Sequence, residues 1–439
     1  MAIVKHRKPS RKPAPVEKTL EIHNLSHEAH GVSRSQDKVV FVSGALPGET
    51  VKARIDKPGR HFDQAQLLEV LEPSSERIEP ACPFYQKCGA CQLQHLDASK
   101  QLGYKKDDLH QQISRKLKVA DLPWAPLIHS DPYGYRRRAR LGVRYRNKLD
   151  EIIIGFREEA NSHLTAIDHC SVLHPRLSQL IAPLHELIST LEKKSVVTQL
   201  ELLIEQQGPC VVIRHIKPLS SKDESDIQHW SKHHDVSVWL HGEEGVQALN
   251  QVSEAPLSYE LMGFNLHFGV KDFIQGNEQV NEAMVKTALE WLNLDGSETV
   301  LDLFAGVGNF TLPLSQQAKQ VYAVEGEKGM AQRIAENAAA NGINNISAQA
   351  MNLADETLLS RLPKADAILL DPPRAGAAAL MPWLSKQKSR ILYIACEPSS
   401  LIRDAQALLD AGFRIEKITV MDMFPQTKHV ESMALFVKD

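Results

Sequence analysis

No apolar run in this 439-residue chain approaches the 18 or so residues that cross a bilayer, so membrane-spanning function is not expected. The first residues, MAIVKHRKPSRKPAP, are basic and Pro-rich and lack the apolar core of a secretory leader; the expectation is a cytoplasmic protein. Charge of neither sign dominates, with 51 Lys and Arg against 54 Asp and Glu, so the net charge of −3 names no partner and the placement of the charges matters more. No internal repeat or long low-complexity segment is present. Cysteine is scarce, six residues in all, yet Cys82, Cys88 and Cys91 fall within ten positions. In a reducing compartment such clustering points to metal or catalysis before disulfides.

What is there describes a globular protein of several domains: 43% hydrophobic and 24% charged residues, in a chain too long for one core at about 100 to 200 residues per domain. Residues 1–17 carry Lys5, Arg7, Lys8, Arg11 and Lys12 among prolines and read as a disordered basic arm, either a solubilising tail or an RNA contact. Residues 18–75 break into short β-rich runs with turn signals at Gly31, Pro47-Gly48 and Pro58-Gly59, which predicts a small OB-like barrel of about five strands. Its layout, GALPGE above all, resembles the TRAM domain, which implies RNA binding; a purely structural barrel is the alternative. Residues 76–269 form a β-rich central region holding the cysteine cluster and a helical stretch around Gln101–Lys118. Within it RRARLGVRYR alternates with period two, Arg138, Arg140, Arg144 and Arg146 on one face and Ala139, Leu141, Val143 and Tyr145 on the other. Seven basic residues from Arg136 to Lys148 read as a phosphate-binding stripe or as a solvated charged strand. Residues 270–439 alternate helix and strand, which predicts a doubly wound α/β sheet with an antiparallel edge at the end.

In TVLDLFAGVGNF an apolar strand runs through Phe304 into a turn with two glycines and then a helix, the arrangement that brings a ligand onto a helix N-terminus. Glu325 closes the next strand, VYAVE, about 20 residues later, where a carboxylate can take both hydroxyls of a ribose. AGVGN lacks the third glycine of a dinucleotide fingerprint and no hydride-transfer motif follows, so S-adenosylmethionine is favoured over NAD. Asn352, after the third strand, is placed for an adenine or simply caps the next helix. Gln275, in FIQGN, precedes the first helix of the region and faces the methionine end of such a cofactor, and Phe304 is either cofactor wall or core.

AILLDPPR puts Asp371 at the carboxyl end of a buried strand, and RILYIACEP puts Cys396 at the equivalent end of the next. Arg374 stands where amine methyltransferases commonly carry an aromatic residue, which argues against exocyclic amine chemistry. A thiolate has a use here, because C5 of a pyrimidine is too poor a nucleophile to attack a sulfonium methyl until addition at C6 makes it carbanion-like. Loss of the C5 proton then needs a general base, and Glu431 in KHVESMALF is the best-placed late carboxylate.

DLFAGVGNF, FIQGN, DPPR, the strand-end Cys-x-Pro and HVESM together resemble the RNA uracil-C5 methyltransferase family over residues 270–439. The resemblance implies that Gln275, Phe304, Asn309, Glu325, Asn352 and Asp371 bind S-adenosylmethionine, with Cys396 as nucleophile and Glu431 as base. One departure is Ala395-Cys396-Glu397-Pro398 where the family often has Ser-Cys-Asn-Pro, and an adjacent glutamate is expected to raise the thiol pKa unless it points away. By their number Cys82, Cys88, Cys91 and the separate Cys170 suit either zinc or an iron–sulfur cluster. The run PxCPxxxxCGxCxxQH is similar to the [4Fe-4S] segment of the ribosomal RNA branch. With the TRAM-like barrel it implies a 23S rRNA uridine of the U1939 type as substrate and no obligate protein partner, the chain acting as a monomer. Another rRNA or tRNA uridine, or a noncatalytic iron–sulfur RNA-binding protein, are the competing readings.

Overall fold

The computed structural model describes residues 16–35, 38–159 and 161–438, so the basic arm through residue 15 lies outside the described residues. The chain forms two compact units, one running through Glu79 and including His95–Asp97, the other made of Pro80–Gln94 and Ala98 onward.

The first unit is a six-stranded sheet in the order Val16–Glu21, Thr50–Pro58, Phe62–Glu72, Lys38–Ser43, His30–Ser35, Asn24–Leu25, the last strand only two residues long. Alternation in Thr50–Pro58 turns Val51, Ala53 and Ile55 inward onto Leu20, Val40 and Val42. The GALPGE turn is held from inside. The fully buried Glu49 carboxylate accepts the Leu46 N–H at 2.7 Å and the Arg77 Nη2 at 2.8 Å. Burial alone would raise its pKa, but Arg77 and the Leu46 N–H outweigh it and hold the group below the usual carboxylate range.

In the second unit a seven-stranded sheet runs Gly245–Asn250, Ser237–Gly242, Gly208–His215, Val197–Glu205, Arg138–Arg146, Glu151–Arg157, Leu164–Ala166. Two helices absent from the β-rich expectation, Ile181–Thr190 and Ser221–His234, pack Leu184, Ile188 and Ile227 onto one face. The second begins in a capping box between Ser220 and Asp223, a signal present in the sequence as Ser-x-x-Asp. The expected alternation in RRARLGVRYR is seen, with Ala139, Leu141 and Val143 buried. The uniform basic stripe is not. Arg137 is 3% exposed, lies over the Tyr259 ring at 4.6 Å and donates to the Gln275 carbonyl at 2.7 Å. Arg138 pairs with Glu201 at 2.6 Å. Arg137 is spent on the FIQGN loop and Arg138 on the Val270 and Asp272 carbonyls just before it.

The carboxyl-terminal sheet runs Ile346–Ala350, Gln320–Glu325, Thr299–Leu303, Ala367–Leu370, Arg390–Ala395, Glu431–Val437, Arg414–Met421. The first five strands are parallel, as expected of a doubly wound α/β fold. The antiparallel strand is not the edge: Glu431–Val437 inserts between Arg390–Ala395 and Arg414–Met421, pairing antiparallel with both. Its run of five buried residues, Ser432–Phe436, suits an interior position in the sheet. The strand order reverses direction between Thr299–Leu303 and Ala367–Leu370, and the crevice outside their carboxyl ends is where such sheets bind ligands. No helix among the described residues is long and apolar enough to cross a membrane.

Candidate active site

One wall of the crevice is the turn after Thr299–Leu303. Phe304 takes a left-handed conformation, φ +65°, with its N–H on the Val324 carbonyl at 3.0 Å. A bulky residue there costs of order 1 kcal/mol or more, strain that clusters where backbone must meet a ligand. Gly306 and Gly308 follow at φ +60° and +99°, values only glycine adopts freely. Glu325 closes the turn from the neighbouring strand, accepting the Gly306 N–H at 3.0 Å and the Glu327 N–H at 3.1 Å. The Asn309 amide exchanges two hydrogen bonds with Asn281, at 2.8 and 2.9 Å, and accepts the Tyr259 hydroxyl at 3.0 Å. Asn352 accepts the Ala354 N–H at 3.0 Å, the local turn-capping arrangement. Asp302, which sequence reasoning passed over, is fully buried beneath this turn. Thr311 donates to one of its oxygens at 2.5 Å and the other meets no partner among the described residues. Burial, then Asp371 and Glu325, push its pKa up to about 7.

The opposite wall brings three sequence-selected side chains together. Asp371 follows Ala367–Leu370 and accepts from Gln275 Nε2 at 3.3 Å, and burial pushes its pKa up to about 7. Cys396 follows Arg390–Ala395. The antiparallel ladder ends with Ala395 paired to Ser432, so Cys396, just past the end of one strand, and Glu431, at the start of the other, come to the same end of the sheet. Burial first, then Glu431 and Asp371, push the Cys396 thiol up to about 11, with Arg374 opposing. Glu431 is pushed up to about 8 by burial and Asp371, opposed by Arg374 and Lys105. Glu397 is not among the main charges acting on the thiol; its carboxylate accepts the Ser399 hydroxyl at 3.2 Å. The loop bearing Asp371 and Arg374 is braced by Asp404, which accepts the Ala377 N–H at 2.7 Å and the Tyr393 hydroxyl at 2.6 Å.

The segment leading into Glu431 is clamped by residues no motif announced. Lys105, on the helix Ala98–Leu117, has a side chain 4% exposed and pairs with Asp422 at 2.7 Å. One helical turn earlier, Gln101 gives its amide to Gln426 Oε1 at 2.9 Å and accepts the Gln426 N–H at 2.9 Å. The Gln426 carbonyl takes the N–H groups of Gln92 and Leu93, at 2.9 and 3.0 Å, and Tyr135 caps the Pro425 carbonyl at 2.9 Å. The signal available in the sequence was the i, i+4 spacing of Gln101 and Lys105 on one helix face.

Cys82, Cys88, Cys91 and Cys170 are free thiols, the last two buried. Burial first, and then the neighbouring cysteines, push Cys88 up to about 11 and Cys91 to about 12; Cys170 is raised also, burial again leading. That mutual influence places the four thiols in one neighbourhood, although among the described residues no three His, Cys, Asp or Glu side chains already stand as a metal-holding group. Cys210 is fully buried within the central sheet, where its thiol is packing.

Known proteins resemble the chain along nearly its whole length. A family profile described as tRNA (Uracil-5-)-methyltransferase matches residues 97–439, and a TRAM domain profile matches residues 17–68. A 23S rRNA (uracil(1939)-C(5))-methyltransferase RlmD of Shewanella sediminis is 40% identical, covering 98% of each chain. The protein of that name from Pectobacterium atrosepticum is 38% identical over 98% of this chain and 96% of its own. In fold, the crystal structure of Pyrococcus abyssi tRNA (uracil-54, C5)-methyltransferase in complex with S-adenosyl-L-homocysteine superposes at TM-score 0.72 and 21% identity, covering 96% of this chain and 100% of that one.

Proposed function

Since the chain belongs to the tRNA (uracil-5-)-methyltransferase family, we propose that it methylates C5 of a 23S rRNA uridine of the U1939 type through a covalent Cys396 adduct. The observation that carries this reading is the antiparallel ladder that brings the start of Glu431–Val437 beside the end of Arg390–Ala395, next to Cys396, at the crevice mouth. The Cys396 thiolate adds to C6 of the uracil, and the π electrons of the C5–C6 bond make C5 nucleophilic. S-adenosylmethionine, when bound, supplies the electrophilic methyl group. Glu431 then removes the C5 proton, the C5–C6 double bond re-forms, and the thiolate leaves. Arg374 is the charge that favours the thiolate against two neighbouring carboxyls.

The crevice fits the cofactor: the left-handed glycines bare the turn, and a buried Asp302 oxygen waits for a donor. Gln275, Phe304, Glu325 and Asp371 line it with side chains. Asn309 and Asn352, whose amides are engaged locally, hold the turns that shape it. Incubation with rRNA containing 5-fluorouridine tests the route. Fluorine cannot leave as a proton, so a stable protein–RNA adduct at Cys396 is expected, and methylation of ordinary RNA without any adduct on the fluorinated RNA would refute it.

Cys82, Cys88, Cys91 and Cys170 would hold a [4Fe-4S] cluster, which supplies a rigid cross-link between the 82–91 segment and the loop at Cys170. The gathering of four thiols fits a four-thiolate group, and the nearby Val172 and Leu173 N–H groups favour the thiolate form of Cys170. Anaerobically purified protein is expected to be brown with about four irons per chain; tight stoichiometric zinc would overturn this. On this reading the TRAM unit would offer a second RNA contact, and the chain would act as a monomer on rRNA in the cytoplasm.

A further inference from the structure

The central sheet carries a cationic cavity that the reaction just described does not use. Two rungs of the sheet register cross it, Arg140 to Glu201 to Val212 and Gln199 to Arg214 to His241. Leu200 and Ile213 between them, and Leu202 and Val211 beside them, are buried on the opposite face against the two helices. Val212 and the nearby Trp239 instead join the core of the carboxyl-terminal sheet. One face of the sheet is therefore half sealed and half open, and the open half is charged. Its cavity, about 320 Å³, is completed by Val246, Val270 and Lys271. The lining carboxylate, Glu201, is already matched by Arg138 at 2.6 Å. Arg140, with a side chain 64% exposed, shares the same carboxylate at 3.2 Å, so one carboxylate faces two guanidinium groups, and the exposed Arg214 and Lys271 add further positive charge. Their field is felt inside: burial first, then Lys271 and Arg214, hold the His241 imidazole below its usual pKa.

The cavity is tied to the active site. Arg138 donates to the Val270 carbonyl at 2.7 Å and to the Asp272 carbonyl, fixing the loop that forms the cavity rim. Four residues past Lys271 the same loop presents Gln275, which bonds Asp371 at 3.3 Å. Four extended residues reach at most about 14 Å, so the rim stands within that distance of the crevice wall. Beyond the cavity, the exposed Arg144 and Arg146 lie on the same face of the strand as Arg140. At about 3.3 Å per residue, Arg144 is about 13 Å farther along. A small anion needs only a pocket, whereas a pocket continued by a row of guanidinium groups suits a polyanion.

We propose that this cavity seats a backbone phosphodiester of the RNA strand flanking the target uridine, holding the strand in register while the base enters the crevice. The inference rests on the RNA-methyltransferase reading and adds to it the place where the flanking backbone is gripped. Direct binding of a 23S rRNA fragment by Arg214→Ala/Lys271→Ala protein tests it, since neither side chain has an ion pair among the described residues to lose. The slope of log affinity against log salt is expected to fall by roughly two, one per cation removed. Thermal stability and affinity for S-adenosylmethionine are expected to stay unchanged. A neutral methylphosphonate scanned through the linkages flanking the uridine should weaken wild-type binding at one position and have no further effect there on the double variant. An unchanged salt slope, or losses that add at every linkage, would overturn the proposal. Because binding is read without turnover, that result stays distinct from a failure of the wild-type protein to form 5-methyluridine, which would sink the underlying reading instead.

Discussion

Cys396→Ala is expected to abolish turnover, whereas Glu431→Gln is expected to methylate and then stall, leaving protein joined to RNA. The asymmetry follows from the two strand ends. Cys396 makes the bond that turns C5 into a nucleophile, and nothing else at the crevice mouth offers a thiol, since Cys210 is fully buried in the central sheet. Glu431 acts only after methyl transfer, on the C5 proton, so its loss slows release by roughly 10²- to 10⁴-fold, the range for a positioned general base. Denaturing gel electrophoresis with labelled RNA separates the outcomes: no shifted band for Cys396→Ala, a persistent one for Glu431→Gln. A Cys396→Ala protein with appreciable activity ends the covalent mechanism, and prompt product release by Glu431→Gln reassigns the base.

The second large effect is expected far from any motif, at Lys105. Its ammonium is buried against Asp422 and lowers the pKa of Glu431, opposing burial and Asp371, which still leave the carboxyl raised to about 8. Lys105→Met leaves the Asp422 carboxylate buried without its partner, which typically costs about 3 to 5 kcal/mol, visible as a large fall in melting temperature. Removing both charges, Lys105→Met with Asp422→Leu, recovers much of that stability because no orphan charge remains. It does not restore the field on Glu431. The sign is fixed: with the cation gone the carboxyl holds its proton to higher pH, so less of it is the base near neutrality. The doubly substituted protein should therefore accumulate adduct at neutral pH and release product as pH rises, its profile displaced to the alkaline side of wild type. A folded double variant with the wild-type pH profile would show that Lys105 serves stability alone.

Local pattern was enough for the motif-bearing parts. The apolar strand into Ala305-Gly306-Val307-Gly308 had to be a strand, a tight turn and a helix start, and Asp371 and Cys396 had to sit at strand ends, because each rests on a run of four or five buried residues. The GALPGE turn was visible for the same reason. The helices Ile181–Thr190 and Ser221–His234 were missed although Ser220 and Asp223 announce the second, since neighbouring β-rich runs set the expectation for the whole region. The basic strand was half legible: alternation correctly separated its buried and outward faces, but which arginines the fold consumes depended on Glu201, Tyr259 and the 270–276 loop.

By itself, then, the order of residues determined the chemistry available: a thiol, three carboxyls, a glycine turn and three clustered cysteines with Cys170 apart from them. Their meeting was decided in three dimensions. Cys396 and Glu431 come to neighbouring strand ends only because Glu431–Val437 inserts antiparallel beside Arg390–Ala395 instead of closing the edge. That choice belongs to a strand whose buried run suits an interior position, which no local pattern of the 35 intervening residues specifies. Lys105 reaches Asp422 across 317 positions for the same reason: strand order and helix docking are settled by burial of whole surfaces, while a motif reports only the few residues on either side of itself.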